Sequence, residues 1–229
     1  MTTEFLGTAF LVAAVVGSGV MAESLSGGNV GLALLANTIA TGAALVALIL
    51  AFGPISGAHF NPVVTIADAM EGGLSRAEIL PYVLAQIAGG IGGTIAANAM
   101  FGLPLVSLSR HVRSGPSQVL SEFIATFGLM CVIWGCSRSR SSLTSFAVGG
   151  YITAAYWFTA STSFANPAVA IARAFSDTFA GIRLADVPFF VVAQFAGGIA
   201  ATLLFRWLIP NSPSTAKNVV LPHDGEVRA

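Results

Sequence analysis

The sequence is poor in charged residues. Charged side chains make up only 9% of the 229 residues, whereas a soluble domain carries roughly a quarter. Hydrophobic residues reach 55%, and the mean hydropathy is +0.82. A chain with so few charges excludes an ordinary water-soluble domain and predicts a protein whose main solvent is lipid.

The chain also has no excess of positive or negative charge. Ten Lys and Arg residues balance ten Asp and Glu residues, and no basic run is interleaved with aromatic residues, which excludes nucleic acid as a partner. The sequence shows no nucleophile–base pair, metal-ligating cluster or phosphate-binding loop. These absences argue against an enzyme and predict neither a cofactor nor a metal site.

Cysteine is scarce, with only two residues. Cys131 and Cys136 are five residues apart in one apolar stretch, and this spacing places them on different faces of a helix. They are therefore expected to be buried, reduced packing residues rather than a disulfide.

Long apolar stretches are abundant. A bilayer core needs about 20 apolar helical residues, and six stretches qualify: 4–22, 30–52, 78–101, 117–135, 142–159 and 185–209. Two shorter apolar pieces, 61–70 and 166–176, each open with Asn-Pro and are candidates for half-helices that enter the membrane without crossing it. Residues 211–229 are polar and predict a tail in water.

The chain contains an internal duplication. Three pairs of segments match in the same order: EFLGTAFLV with EFIATFGLM, SGAHFNPVVTIADAM with STSFANPAVAIARAF, and PYVLAQIAGGIGGT with PFFVVAQFAGGIAAT. Repeats at about 4–101 and 117–209 thus form a single domain. Because each repeat has three spans, an odd number, the second is inverted and the two half-helices point at each other. The sequence predicts an all-α membrane protein with six transmembrane helices and two re-entrant half-helices.

The two Asn-Pro pairs are the candidate site. Asn is a favoured N-cap and Pro suits the first helical position, so Asn61-Pro62 and Asn166-Pro167 predict two helix starts. Each Asn oxygen can accept from its own helix, which leaves its NH₂ group free to donate into a lumen. Two facing N-termini carry about half a positive charge each, so a cation is repelled while a neutral hydroxyl-bearing solute is hydrogen-bonded and passes.

The backbone before each helix start is expected to line the pore. Broken backbone in a membrane is tolerated where it borders a wet cavity, and the carbonyls that would form this acceptor ladder belong to Gly57, Ala58, His59, Thr162, Ser163 and Phe164. His59 is interpreted as a hydrogen-bonding wall residue, with a proton relay as the alternative.

Glu4 and Glu122 occupy equivalent positions in the two repeats. An ionisable residue inside a membrane segment usually has a partner, and the N–H groups of the broken loops are the natural ones. Both glutamates are therefore expected to brace the loops; the alternative places Glu4 among lipid headgroups.

The motifs SGAHFNPVVT and STSFANPAVA resemble those of the major intrinsic protein family, the aquaporins and aquaglyceroporins, and the similarity covers nearly the whole chain. It implies a right-handed bundle, one pore per chain and a homotetramer. The motif residues after the prolines are Val63, where the family usually has Ala, and Ala168.

The resemblance also implies an outer selectivity filter. Its positions correspond to Thr41, Ala154, Ser163 and Val169, so the filter has neither an aromatic residue, nor His, nor the usual Arg. The run YWFTASTSFANPAVAIARAFSDTFAGI is similar to aquaporins found with bacterial arsenic-resistance genes. This similarity implies a bacterial cytoplasmic membrane and favours arsenite, its methylated relatives and glycerol-like polyols as solutes beside water.

Arg173 lies four residues after Val169, on the same helix face and about 6 Å further along the axis. Two interpretations of this residue remain open. Its guanidinium folds back into the outer vestibule of the pore, or it pairs with Asp177 on an exposed helix end. Its counterpart in the first repeat, Asp68, is expected at the opposite mouth.

The distribution of basic residues predicts cytoplasmic termini, with a weak positive-inside bias. Three other functions remain as alternatives: an orthodox water channel, an ion-coupled secondary transporter and a structural membrane protein without flux. A transporter would need carboxylates or histidines in the spans near the midplane, and the interior offers essentially Glu4, Glu122 and His59.

Overall fold

A computed structural model describes residues 1–139 and 141–209. The helices are α1 (Thr2–Leu25), α2 (Val30–Ser56), α3 (Pro62–Glu71), α4 (Arg76–Met100), α5 (Pro116–Ser139), α6 (Thr144–Phe158), α7 (Pro167–Arg173) and α8 (Val187–Leu208), with 3₁₀ turns at Ser141–Leu143 and Leu184–Asp186. The polar tail predicted for 211–229 lies outside the described residues.

The predicted fold class is confirmed. Within the described residues, five helices, α1, α2, α4, α5 and the segment that ends in α8, are long and apolar enough to cross a bilayer. The sixth span, α6, has 15 residues, which is about 22 Å of helix, and the 3₁₀ turn at Ser141–Leu143 directly precedes it. The short helices α3 and α7 occupy the two Asn-Pro positions.

The same helix pairs pack in both repeats. The first span contacts the third, α1 with α4 and α5 with α8, and the first also contacts the second, α1 with α2 and α5 with α6. Contacts between α2 and α6 join the repeats, and α3 meets α7 in the interior. This arrangement places both half-helix starts at the centre of the bundle.

Glycines allow the first and third spans to approach closely. A Cβ added at Gly89 would lie 2.2 Å from the Phe5 carbonyl oxygen, and one added at Gly93 would lie 2.1 Å from that of Ala9. In the second repeat, a Cβ at Gly197 would lie 2.4 Å from the carbonyl oxygen of Phe123. The helix backbones touch at these three points, so no side chain fits there.

The cysteines differ from the sequence prediction in one respect. Both Cys131 and Cys136 carry free thiols, but each is only partly buried. The helical spacing determined that they lie on different faces of α5, whereas the degree of burial depends on how closely the neighbouring helices cover those faces.

Candidate pore

The two Asn-Pro helix starts hold each other through exchanged hydrogen bonds. Asn61 Nδ2 donates to the Ala165 carbonyl at 2.8 Å, and Asn166 Nδ2 donates to the Phe60 carbonyl at 2.7 Å. The expectation that both amide hydrogens are free is therefore wrong, because each Asn uses one N–H to bind the opposite loop. Among the described residues, one bond to the opposite loop is the only one that each amide nitrogen donates.

Each Asn oxygen also caps its own helix. Asn61 Oδ1 accepts from the Val63 N–H at 2.9 Å. Asn166 Oδ1 accepts from the N–H groups of Ala168 and Val169 at 3.0 and 3.3 Å. Both carboxamides are thereby fixed in orientation, with the oxygen towards the half-helix and the nitrogen towards the other repeat.

The loops before the two helix starts have an unusual backbone. Five residues other than glycine adopt positive φ angles between 48° and 61°: Ala58, Phe60, Thr162, Ser163 and Ala165. A non-glycine residue in this region costs of the order of 1–3 kcal/mol. Such a run persists only where surrounding contacts impose it, and it presents backbone that neither a helix nor a strand would expose.

A cavity of about 60 Å³ runs beside both loops. Nine residues expected at the pore line it: Thr41, Ala58, His59, Asn61, Ser163, Phe164, Asn166, Val169 and Arg173. Apolar side chains make up much of the remaining lining, with Leu11, Val15, Leu45, Ile49, Leu129, Ile133 and Val148. The cavity lining thus combines a few polar groups with many apolar side chains. Gly57 and Thr162, which were also expected, are not part of its wall.

Ala154 does not line the cavity. It is exposed on the outer face of α6, while Ile152 and Tyr156 of the same helix form the wall. Two residues along a helix correspond to a rotation of about 200°, so the position inferred from the family points away from the cavity. Tyr156 was missed, although a tyrosine with an apolar ring and a polar hydroxyl suits the edge of a wet lumen.

The two glutamates contact the broken loops. Glu4 accepts from the N–H groups of His59 and Phe60 at 3.1 and 2.8 Å. Glu122 accepts from those of Phe164 and Ala165, both at 2.9 Å. Both side chains are fully buried, so Glu4 does not lie among headgroups. These are the contacts that a bracing role requires.

Polar side chains complete the glutamate sites. Gln86 donates to Glu4 at 2.8 Å and Gln194 to Glu122 at 2.6 Å. Gln86 and Gln194 stand at equivalent positions in the repeated segments PYVLAQ and PFFVVAQ. Sequence reasoning missed both, although the repeat alignment could have shown them, because a buried glutamine needs a partner.

His59 forms part of the cavity wall and also contacts polar groups behind it. Its Nδ1 lies 3.2 Å from Thr65 Oγ1, and its Nε2 lies 3.5 Å from Asp68 Oδ2. Asp68 is only 1% exposed and is not among the residues that line the cavity, so the structure does not bear out the prediction that it lies at the opposite mouth of the pore. The half-helix α3 directs this carboxylate towards His59 rather than into the vestibule.

Arg173 is buried beside the cavity. It is 2% exposed, its Nε donates to the Ala180 carbonyl, and its Cζ lies 3.4 Å from the centre of the Phe164 ring. The alternative pairing with Asp177 is wrong, because Asp177 binds Arg110 through contacts of 2.8–2.9 Å. These Arg110 hydrogen bonds lower the pKa of Asp177 below its usual value.

Arg113 is a second buried arginine that sequence reasoning did not assign. It comes from the loop between α4 and α5, donates to the carbonyls of Gly181 and Ser161 at 2.8 and 3.2 Å, and lies 5.1 Å from the centre of the Phe164 ring. Burial lowers the pKa of Arg113 to about 10, which keeps it charged at neutral pH. It fastens the loop after α4 to the loops that flank α7.

The comparisons with known proteins agree with this geometry. The family model described as "Major intrinsic protein" matches residues 1–147. The chain belongs to the major intrinsic protein family. It is 55% identical to "Aquaglyceroporin AqpS" of Rhizobium meliloti (strain 1021), over 90% of this chain and 88% of that protein.

Two further comparisons extend this relation. The chain is 30% identical to "Probable aquaporin AqpM" of Archaeoglobus fulgidus, over 90% of this chain and 95% of that protein. The X-ray structure of the aquaglyceroporin from Plasmodium falciparum superposes with a TM-score of 0.68, over 91% of this chain and 95% of that one, at 22% identity. The latter supports the fold alone.

Membership of the major intrinsic protein family settles the general function. The chain is an integral multi-pass membrane protein and a passive channel for water and small solutes such as glycerol, not an enzyme.

One departure from the family pattern, Val63, has a structural explanation. A Cβ at Gly198 of α8 would lie 2.2 Å from Val63 Cγ1, so the larger side chain fills the space that this glycine leaves.

Proposed function

We propose that this channel conducts arsenite, its methylated relatives and glycerol-like polyols together with water. The observation that carries this proposal is the composition of the cavity wall, in which Thr41, Ser163 and Val169 present two hydroxyls and one apolar group. Arsenite at neutral pH is an uncharged trihydroxylated molecule, similar in this respect to glycerol. The 55% identity with an aquaglyceroporin supports a solute of this class.

The paired Asn-Pro starts are the proposed ion barrier. A passing hydroxyl can accept from the second N–H of Asn61 and Asn166, while the apolar side chains of the lining offer no substitute for the hydration shell of an ion. Both half-helix N-termini point into this narrow region and oppose a cation. A neutral polyol exchanges its water contacts for these donors and passes.

An orthodox water channel is the second candidate. The cavity volume of about 60 Å³ and the buried Arg173 in its wall favour this reading, because both reduce the room for a solute larger than water. The two candidates differ in whether glycerol and arsenite pass.

The test is light scattering from proteoliposomes under separate gradients of water, glycerol and arsenite. The proposal expects flux of all three solutes, linear in concentration and independent of ion gradients. Water flux alone would support an orthodox water channel, saturable or gradient-coupled uptake a transporter, and no flux a structural protein.

A pair of variants locates the filter in the same experiment. Val169→Arg places a bulky, always-charged side chain at the cavity wall, so glycerol and arsenite flux should fall while water flux persists. Ala154→Val is the matched control, because Ala154 faces outward and its replacement should leave all three fluxes unchanged.

A further inference from the structure

Arg173 and Val169 share one wall of the cavity. They are four residues apart on α7, so they lie one helical turn from each other on the same face. The resemblance to the family expects an arginine at position 169, where this chain has valine. A guanidinium is nevertheless present in the cavity wall, supplied from the next turn.

The contacts of Arg173 leave its positive charge without an ionic partner. Its Nε donates to the Ala180 carbonyl, and its guanidinium lies over the Phe164 ring. In the described part of the chain, every ion pair involves another residue. An unbalanced charge at this depth acts on whatever enters the cavity, because little water is present to screen it.

Tyr156 links α6 with the side chain of Thr41 on α2. Its hydroxyl donates to Thr41 Oγ1 at 3.3 Å. Tyr156 itself is 3% exposed and is part of the cavity wall. Side chains from α2, α6 and α7, namely Thr41, Tyr156 and Arg173, thereby line one lumen.

We propose that Arg173 and Tyr156 form the selectivity constriction of this pore, with the arginine displaced by one helical turn from the family's position, which Val169 occupies here. The guanidinium repels cations and donates to solute hydroxyls, while the rings of Tyr156 and Phe164 contact the solute's apolar side. The constriction therefore selects small neutral polyhydroxylated molecules. This inference rests on the channel function proposed above and assigns its selectivity to particular residues.

The displacement has a structural cause. Phe164 precedes the half-helix and packs edge-on against Phe190 at 5.2 Å between ring centres, which fixes a flat surface beside α7. A guanidinium stacks well on such a surface. Helical side chains lean towards the N-terminus, so Arg173 reaches back over Phe164 while the short Val169 leaves the space open.

The test compares Arg173→Met with Arg110→Met in proteoliposomes and planar bilayers. Both variants remove one positive charge from the same end of the molecule, but the Arg110 side chain is 90% exposed and binds surface Asp177. Arg173→Met should raise cation conductance by about tenfold or more, since an unscreened charge is removed from the lumen, and should admit polyols longer than glycerol. Arg110→Met should change neither quantity.

Two further variants separate charge from shape. Arg173→Lys keeps the charge and should retain cation exclusion, but it loses the planar stacking on Phe164 and should alter the ratio of glycerol to water flux. Tyr156→Phe removes one hydroxyl without changing the ring, so it keeps the test valid if Arg173→Met does not fold. We expect it to change that flux ratio by roughly threefold, since one hydrogen bond to a solute or wall group is lost.

The outcomes distinguish this inference from the proposed function. If the parent conducts glycerol and arsenite but Arg173→Met excludes cations and long polyols equally well, Arg173 is not the constriction. An unchanged flux ratio in Tyr156→Phe would likewise overturn the assignment of that residue. Failure of the proposed function would instead appear in the parent protein, as absent glycerol and arsenite flux.

Discussion

At the scale of single residues, the candidate pore depends on asparagine and glutamate side chains that each make several hydrogen bonds at once. Each Asn caps its helix with the oxygen and binds the opposite loop with one N–H. Each buried glutamate accepts from two consecutive loop N–H groups and from a glutamine. Replacing one such side chain should therefore affect both the position of a half-helix and the chemistry of the lumen.

Asn166→Asp should weaken ion exclusion. The carboxylate keeps the cap but loses both amide donors, places an oxygen against the Phe60 carbonyl and offsets the charge of the helix end. We expect lower solute flux and higher cation conductance in planar bilayers. Asn166→Ser is the control, because serine also caps a helix without adding charge. If both variants exclude cations like the parent, the half-helix charge is not the barrier.

Glu4→Gln should destabilise the first broken loop. A carboxylate that accepts from the backbone of His59 and Phe60 is replaced by an amide whose NH₂ cannot accept, at a cost of about 2 kcal/mol. The expected results are a lower unfolding temperature in detergent and reduced glycerol flux. Glu23→Gln, at an exposed position of the same helix, should match the parent. Equal stability of the two variants would exclude a bracing role for Glu4.

At the scale of helices, the sequence pattern and the packing agree closely. Apolar length determined the spans, and Asn-Pro determined where both half-helices begin. The register of α6 was not predictable in the same way. The family comparison placed Ala154 in the lumen, but α6 is apolar on all sides, so no sequence periodicity indicates which face meets the pore. The packing of α6 against α2 and α5 decides it.

Gly93→Ala should disrupt the contact between α1 and α4. The added methyl would lie 2.1 Å from the Ala9 carbonyl oxygen, and forcing the helices apart costs typically 1–3 kcal/mol. Gly92→Ala on the same helix is the control, since its methyl would make an ordinary 3.6 Å contact with Phe5 and alanine favours a helix. Thermal unfolding in detergent should show a loss for position 93 alone. A parent-like Gly93→Ala protein would contradict the close backbone approach.

At the scale of the whole molecule, the inverted repeats create a pore with different ends. Arg206 binds Glu71 at 2.5 Å, which ties α8 to the end of the first half-helix. At the other end, Arg113 ties together the loops around the second half-helix. The surroundings of α3 therefore include the carboxylates Asp68 and Glu71, whereas those of α7 include two buried arginines. A neutral solute is little affected by this asymmetry.

The orientation predicted from basic residues can be tested with reporter fusions. A fluorescent protein attached to the C-terminus should fluoresce, and a phosphatase that is active only outside the cell should be inactive there. Fusions after residue 108, which follows the third span, should show the reverse pattern. The opposite pattern at both sites would place the termini outside the cytoplasm.

The resemblance to the family also predicts a homotetramer. Cross-linking in native membranes would show how many subunits the assembly contains.

The sequence by itself determined the membrane environment, the six spans, the internal inversion and both helix starts. Each of these follows from local chemistry: apolar length, repeated segments and the preference of Asn and Pro for a helix N-terminus. Tertiary structure alone decided which faces meet the lumen. Tyr156 replaced Ala154 in the cavity wall, and Arg173 turned inward onto Phe164 instead of pairing with Asp177. Such choices depend on contacts between helices distant in sequence, and in a helix apolar on every side no local pattern encodes them.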